Sequence, residues 1–64
     1  MKVKCVRSSY TVFQAGEVYE FAPVGQSGRF TVYQYTDDFG VYTFGLDDAL
    51  SVEVDGNFMQ FAEV

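Results

Sequence analysis

The chain has 64 residues, 48% of them hydrophobic and 20% charged, with a formal net charge of −5. That length allows one domain, residues 1–64, and the balance is globular rather than disordered. There is no histidine and a single cysteine, Cys5. This removes the Ser-His-Asp and Cys-His nucleophile systems, histidine-based metal sites and any disulfide within the chain.

Strand signals dominate the sequence: short β-branched and aromatic runs punctuated by Gly, Asp and Asn. Lys2 to Val6 alternates, with Val3 and Cys5 inward and Lys2 and Lys4 outward. Arg7-Ser8-Ser9 reads as a turn, Tyr10 to Phe13 as extended or irregular chain, and Gln14-Ala15-Gly16 as the end of a loop. Glu17 to Ala22 is a second strand. Placing Tyr19 and Phe21 in the core buries more area than the opposite face would and leaves Glu20 in water. Pro23 to Arg29 carries one proline and two glycines and reads as a loop.

Phe30 to Thr36 is a third strand, apolar on both faces: Phe30 and Val32 on one, Tyr33 and Tyr35 on the other. Asp37-Asp38-Phe39-Gly40 is a tight turn, because Asp bonds nearby N–H groups and Gly accepts positive φ. Val41 to Phe44 returns as a fourth strand. Gly45 to Leu50 is too short for a stable helix and fits one helical or 3₁₀ turn capped by an aspartate. Ser51–Val54 and Asn57–Val64 flank Asp55-Gly56, a strong hairpin signal. Five or six short antiparallel strands, with one short helical or 3₁₀ turn near residues 46–50, predict an all-β fold, a small SH3-like barrel. An OB-fold needs a helix between its third and fourth strands, and residues 36–41 leave no room for one.

A chain this short buries roughly 60% of its unfolded surface, so large rings must supply the core. Seven Phe and five Tyr are available. Stability from one such core is on the order of 3–5 kcal/mol. Dimerisation would add to it, so a homo-oligomer is compatible with the sequence.

Charge is divided along the chain. Residues 1–29 hold Lys2, Lys4, Arg7 and Arg29 against Glu17 and Glu20, a net of +2. Residues 30–64 hold seven acids and no base, a net of −7. Such a surface repels nucleic-acid backbone and keeps a small protein in solution.

The pattern Lys2-Val3-Lys4-Cys5-Val6, then Gly16-Glu17-Val18-Tyr19-Glu20-Phe21, then Asp37-Asp38-Phe39-Gly40 resembles the small SH3-like accessory proteins of bacteriophages and prophages. Those proteins often read K-x-K-C-[IV], G-x-x-Y-E-[VF] and D-D-x-G. Leu46 to Met59 departs from their shorter ending and suggests an added hairpin. The resemblance brings no catalytic residue. It implies a protein that binds and inhibits host machinery such as defence, transcription or replication factors.

Each residue type with chemistry has a structural reading. Cys5 is expected as a small buried hydrophobe, since Lys4 points to the other face and no base accompanies it. The pairs Asp37-Asp38 and Asp47-Asp48 lack calcium-loop spacing and suit turns and caps, so no metal or cofactor is expected. Tyr10, Tyr33, Tyr35 and Tyr42 exceed what a small core needs once Phe30, Val32 and the other phenylalanines fill it. Partly exposed tyrosines beside carboxylates suit a protein interface. The expected partner-binding set is therefore Tyr33, Tyr35, Asp37, Asp38, Tyr42, Asp47 and Asp48, facing a basic host protein, with carboxylates standing where phosphates of a nucleic acid would sit. The alternatives are a nucleic-acid-binding module using Lys2, Lys4, Arg7 and Arg29, or a structural assembly subunit that pairs through an edge strand. Enzyme activity is not expected. Neither a membrane span nor an export signal is legible, and with a lone cysteine this points to the cytoplasm.

Overall fold

A computed structural model describes residues 1–64. It is all-β and barrel-like, with seven strands: β1 (Lys2–Ser8), β2 (Val18–Glu20), β3 (Ala22–Ser27), β4 (Phe30–Asp37), β5 (Gly40–Leu46), β6 (Ser51–Val54) and β7 (Asn57–Glu63). They form two antiparallel sheets, a four-stranded one in the order β2-β1-β7-β6 and a three-stranded one in the order β3-β4-β5. The chain passes from one sheet to the other through Phe21, the single residue between β2 and β3, whose ring is fully buried.

The seventh strand is β3, where a loop was expected over Pro23 to Arg29. Proline lacks an N–H and is tolerated only where that group faces away from the ladder. β3 is an edge strand, so Pro23 pairs with Tyr33 without a missing hydrogen bond on the inner side. The register slips between Pro23 and Gly25, leaving Val24 as a bulge. The signal in the sequence was Ser27-Gly28-Arg29-Phe30: Gly28 takes φ +58, the positive value needed at the first central position of a two-residue hairpin turn. β1 likewise continues through Arg7 and Ser8 instead of turning. A bulge at Val6 lets Arg7 and Ser8 pair with Gln60 and Met59.

Both predicted hairpins form. Asp37 pairs with Gly40 at the head of β4–β5, and Val54 pairs with Asn57 at the head of β6–β7. Residues 46–50 hold no helix. Asp47–Leu50 is one turn, closed at 2.9 Å by the Leu50 N–H donating to the Asp47 carbonyl. Leu50 sits at φ +57, a conformation that does not propagate as a right-handed helix.

The core is Val3, Cys5, Phe13, Phe21, Tyr33, Leu46, Met59 and Phe61. Phe13 comes from the segment between β1 and β2 and plugs the space between the sheets. Its ring lies 5.1–5.6 Å from those of Tyr19, Phe21, Tyr35, Phe44 and Phe61. Most of these contacts are edge-on, the geometry in which an aromatic pair adds about 0.5–1.5 kcal/mol beyond its buried area. The Gln14 N–H donates to the Tyr19 hydroxyl at 2.7 Å, which fixes the segment that carries Phe13.

Candidate functional site

β4 decides which aromatic rings are available to a partner. Its inner face is Tyr33 and Tyr35, and its outer face carries Phe30 and Val32, half-buried. This reverses the expectation that Phe30 and Val32 would fill the core and leave the tyrosines outside. Tyr33 is 8% exposed and packs on Phe21, so it belongs to the core and not to an interface. Tyr35 is half-buried and turns one edge to Phe13, Tyr19 and Phe21. Its other side stacks with Tyr42, the residue opposite it on β5, at 6.1 Å between centroids. Burial, with the carboxylate of Asp37 as the next cause, raises the Tyr35 phenol above its usual pKa; Tyr19, Tyr42 and Asp38 add to this.

The two aspartate pairs are not neighbours. Asp37 and Asp38 precede β5, and Asp47 and Asp48 follow it. The seven residues from Gly40 to Leu46 separate them by roughly 20 Å at the usual rise of a strand. One member of each pair holds a turn. The Asp37 carboxylate accepts from the N–H groups of Phe39 and Gly40, at 2.8 and 3.1 Å. The Asp47 carboxylate accepts from the N–H groups of Ala49 and Ser51 and from the Ser51 hydroxyl, at 2.9, 3.0 and 3.2 Å. The Ser51 N–H is the main reason that Asp47 titrates below the usual carboxylate range. Asp38 and Asp48 are exposed, and neither pair takes part in an ion pair. The structure thus assembles Tyr35, Asp37, Asp38 and Tyr42 at one end of β5, sets Asp47 and Asp48 at the other, and removes Tyr33.

At the first end lies a residue that the sequence reading passed over as part of a turn. Phe39, between Asp38 and Gly40, is 91% exposed. Turn chemistry put the ring there: Asp37 and Gly40 satisfy the bend, so position 39 is free of structural duty. Val41, 59% exposed, follows it. Beside them opens an apolar cleft of about 400 Å³, lined by Tyr10, Val12, Phe13, Val41, Tyr42, Thr43, Phe44 and Met59. A second depression, of about 330 Å³, lies on the opposite side between Phe30, Val32, Val52 and Val54.

The cations are dispersed. Lys2 stands opposite Glu20 across β1–β2. The Arg7 guanidinium lies over the Phe58 ring at 4.8 Å and donates to Gln60 at 3.1 Å. Arg29 lies over Phe30 at 5.4 Å in the turn between β3 and β4. Cys5 is buried, and burial raises its thiol pKa. No three His, Cys, Asp or Glu side chains converge in a way that could hold a metal ion, and no helix is long and apolar enough to cross a membrane.

No protein-family model matches the chain, and no curated protein or solved structure matches it.

Proposed function

We propose that the chain is a non-catalytic, phage-type accessory protein that binds a host protein with a basic surface and thereby inhibits it in the host cytoplasm. One observation carries the reading: Phe39 stands almost fully exposed at the head of β4–β5, beside Val41, Tyr42 and the carboxylates of Asp37 and Asp38, neither of which is in an ion pair. The Phe39 ring lies outside the core cluster, and aromatic rings are enriched in protein interfaces. The acidic rim supplies steering toward a basic partner and faster association. The recognition surface is therefore centred on the hairpin head with Tyr42, and Asp47 and Asp48 lie at the far end of β5. Carboxylates roughly 20 Å apart along one strand do not repeat at the spacing of backbone phosphates, so the reading rests on the anchor and its rim rather than on mimicry of nucleic acid.

The nucleic-acid alternative has less support. It needs a continuous basic groove with free aromatic faces, whereas Lys2 faces Glu20 and the arginines cover phenylalanine rings in two separate places. The test is affinity capture from host lysate with the wild-type chain and with Phe39→Ser and Asp38→Lys variants, at low and high salt. A protein retained by the wild type at low salt and lost with either variant supports the reading. Equal retention by all three chains, or none at low salt, counts against it.

A further inference from the structure

β5 is bonded on one side only. It ends the three-stranded sheet, and its partner on the inner side is β4. The two-residue turn at Asp38-Phe39 fixes which backbone groups face which way. Asp37–Gly40 closes the hairpin, so Tyr42 and Phe44 exchange hydrogen bonds with β4, while Val41, Thr43 and Gly45 turn their N–H and C=O groups outward. No backbone bond outside the ladders and no side-chain bond reaches those three residues. The cleft beside this edge is walled by Tyr10, Val12 and Met59, and no backbone bond ties residues 10–13 to β5.

An open edge next to an apolar cleft is the arrangement that accepts an added strand. The flanking charges select the occupant. Two copies of β5 could pair antiparallel about Thr43 or about Tyr42. In either register the hairpin head of one copy, with Asp37 and Asp38, lies toward the Asp47-Asp48 end of the other copy's β5. In both, carboxylates meet at each end of the ladder, so self-pairing is opposed. The same four carboxylates, none of them in an ion pair, favour an extended segment with basic residues at its two ends.

We infer that β5 receives an extended segment of the partner as an added antiparallel strand. Apolar side chains opposite Tyr42 and Phe44 enter the cleft, and Lys or Arg residues lie beside Asp37-Asp38 and Asp47-Asp48. This deepens the proposed function and rests on its reading of a basic protein partner. Main-chain hydrogen bonds supply the affinity, the cleft sets the register, and the charges select a segment with basic ends.

The probe is the peptide Lys-Arg-Thr-Val-Thr-Val-Thr-Lys-Arg, titrated calorimetrically and by amide NMR. Binding is expected, with slower hydrogen exchange at the Val41 and Thr43 amides. N-methylation of the peptide's three threonines removes the N–H groups that meet β5 and is expected to weaken binding at least about tenfold, a loss that one or two of those three hydrogen bonds would already account for. Replacing both basic ends with glutamate should abolish it. Thr43→Pro removes an outward N–H from an edge position that tolerates proline, and should lower affinity by a similar factor while leaving the melting temperature near that of the wild type. If that variant does not fold, the methylated peptide decides. Equal binding of plain and methylated peptides, or no protection on β5, overturns strand addition; loss of that binding on Asp38→Lys would still keep the basic-partner reading. No binding of any peptide overturns strand addition alone and leaves the lysate experiment to judge the wider reading. A stable homodimer with β5 protected and no peptide present assigns the edge to a second copy and also overturns the proposal.

Discussion

The two hairpins of this chain are built from similar parts and are held differently. In β6–β7 the returning strand is paired on both sides, with β6 and with β1. Its head is tied down as well: the Ser9 N–H donates to the Phe58 carbonyl at 2.9 Å, and the Phe58 N–H donates to the Ser9 hydroxyl at 2.9 Å. In β4–β5 the returning strand is paired once, and its head carries Phe39 free in solvent. Residues on β7 are committed to the fold. Residues on the outer half of β5 are not, and that is where an interaction can be gained without loss of stability.

The largest loss is expected on the β7 side. Phe61 is buried against Phe13, Tyr19 and Phe21. Phe61→Ala is expected to cost about 3–5 kcal/mol, as large-to-small changes of a buried ring do. That equals the whole stability expected of a core this size, on the order of 3–5 kcal/mol. The variant should show no cooperative thermal transition, and a melting curve close to the wild type would refute the central place given to this ring. Next comes the turn. Asp55 and Gly56 both take positive φ, 53° and 83°, and a Cβ at Gly56 would meet nothing within 4 Å. Gly56→Ala therefore isolates the backbone cost, about 1–2 kcal/mol for an L-residue in the left-handed region. Urea unfolding should show a lower midpoint with an unchanged slope.

Smaller still is the acid dependence of the corner between the hairpins. Asp47 accepts hydrogen bonds from Ala49 and Ser51, and its folded pKa lies below the unfolded value. A depressed carboxylate favours folding above the unfolded pKa of about 3.9, and the contribution is lost as pH falls from there through the folded pKa. Asp47→Asn keeps an oxygen acceptor and removes the titration. Its stability should decline less steeply than the wild type's below about pH 4, and parallel profiles would show that the corner does not sense acid.

Much of this fold is legible in the sequence because local chemistry and long-range packing agree. Alternation in Lys2 to Val6 puts Val3 and Cys5 inside, and Asp55-Gly56 makes its hairpin. The misreadings occur where one residue type serves two opposite purposes. Pro23 and Gly25 look like loop residues and sit in an edge strand, where proline's missing N–H has no ladder partner to lose. Phe30 to Tyr35 has rings on both faces, and only the rest of the molecule selects the tyrosine side. Asp37-Asp38 and Asp47-Asp48 look alike as pairs, but their separation by the length of β5 follows from strand placement and not from spacing alone. Four of the seven expected residues, Tyr35, Asp37, Asp38 and Tyr42, lie together at one end of β5. Phe39 is not legible as a site residue because the turn is specified by Asp37 and Gly40 on either side of it, and no local pattern says where the ring at position 39 points.

The smallest change in stability is expected at Phe39. Phe39→Ser replaces a ring that is 91% exposed, in a turn whose bend is held by the Asp37 carboxylate on the N–H groups of residues 39 and 40. Those bonds use the backbone of residue 39 and not its side chain, so the substitution leaves them intact. Stability should stay within about 0.5 kcal/mol of the wild type, the range of surface changes that touch no special feature. A marked loss would mean that the ring supports the hairpin, and the division between a committed β7 and an uncommitted β5 would fail. Unchanged stability together with weaker capture of the partner separates the two roles in a single residue: the head of β4–β5 folds without its aromatic ring and recognises with it.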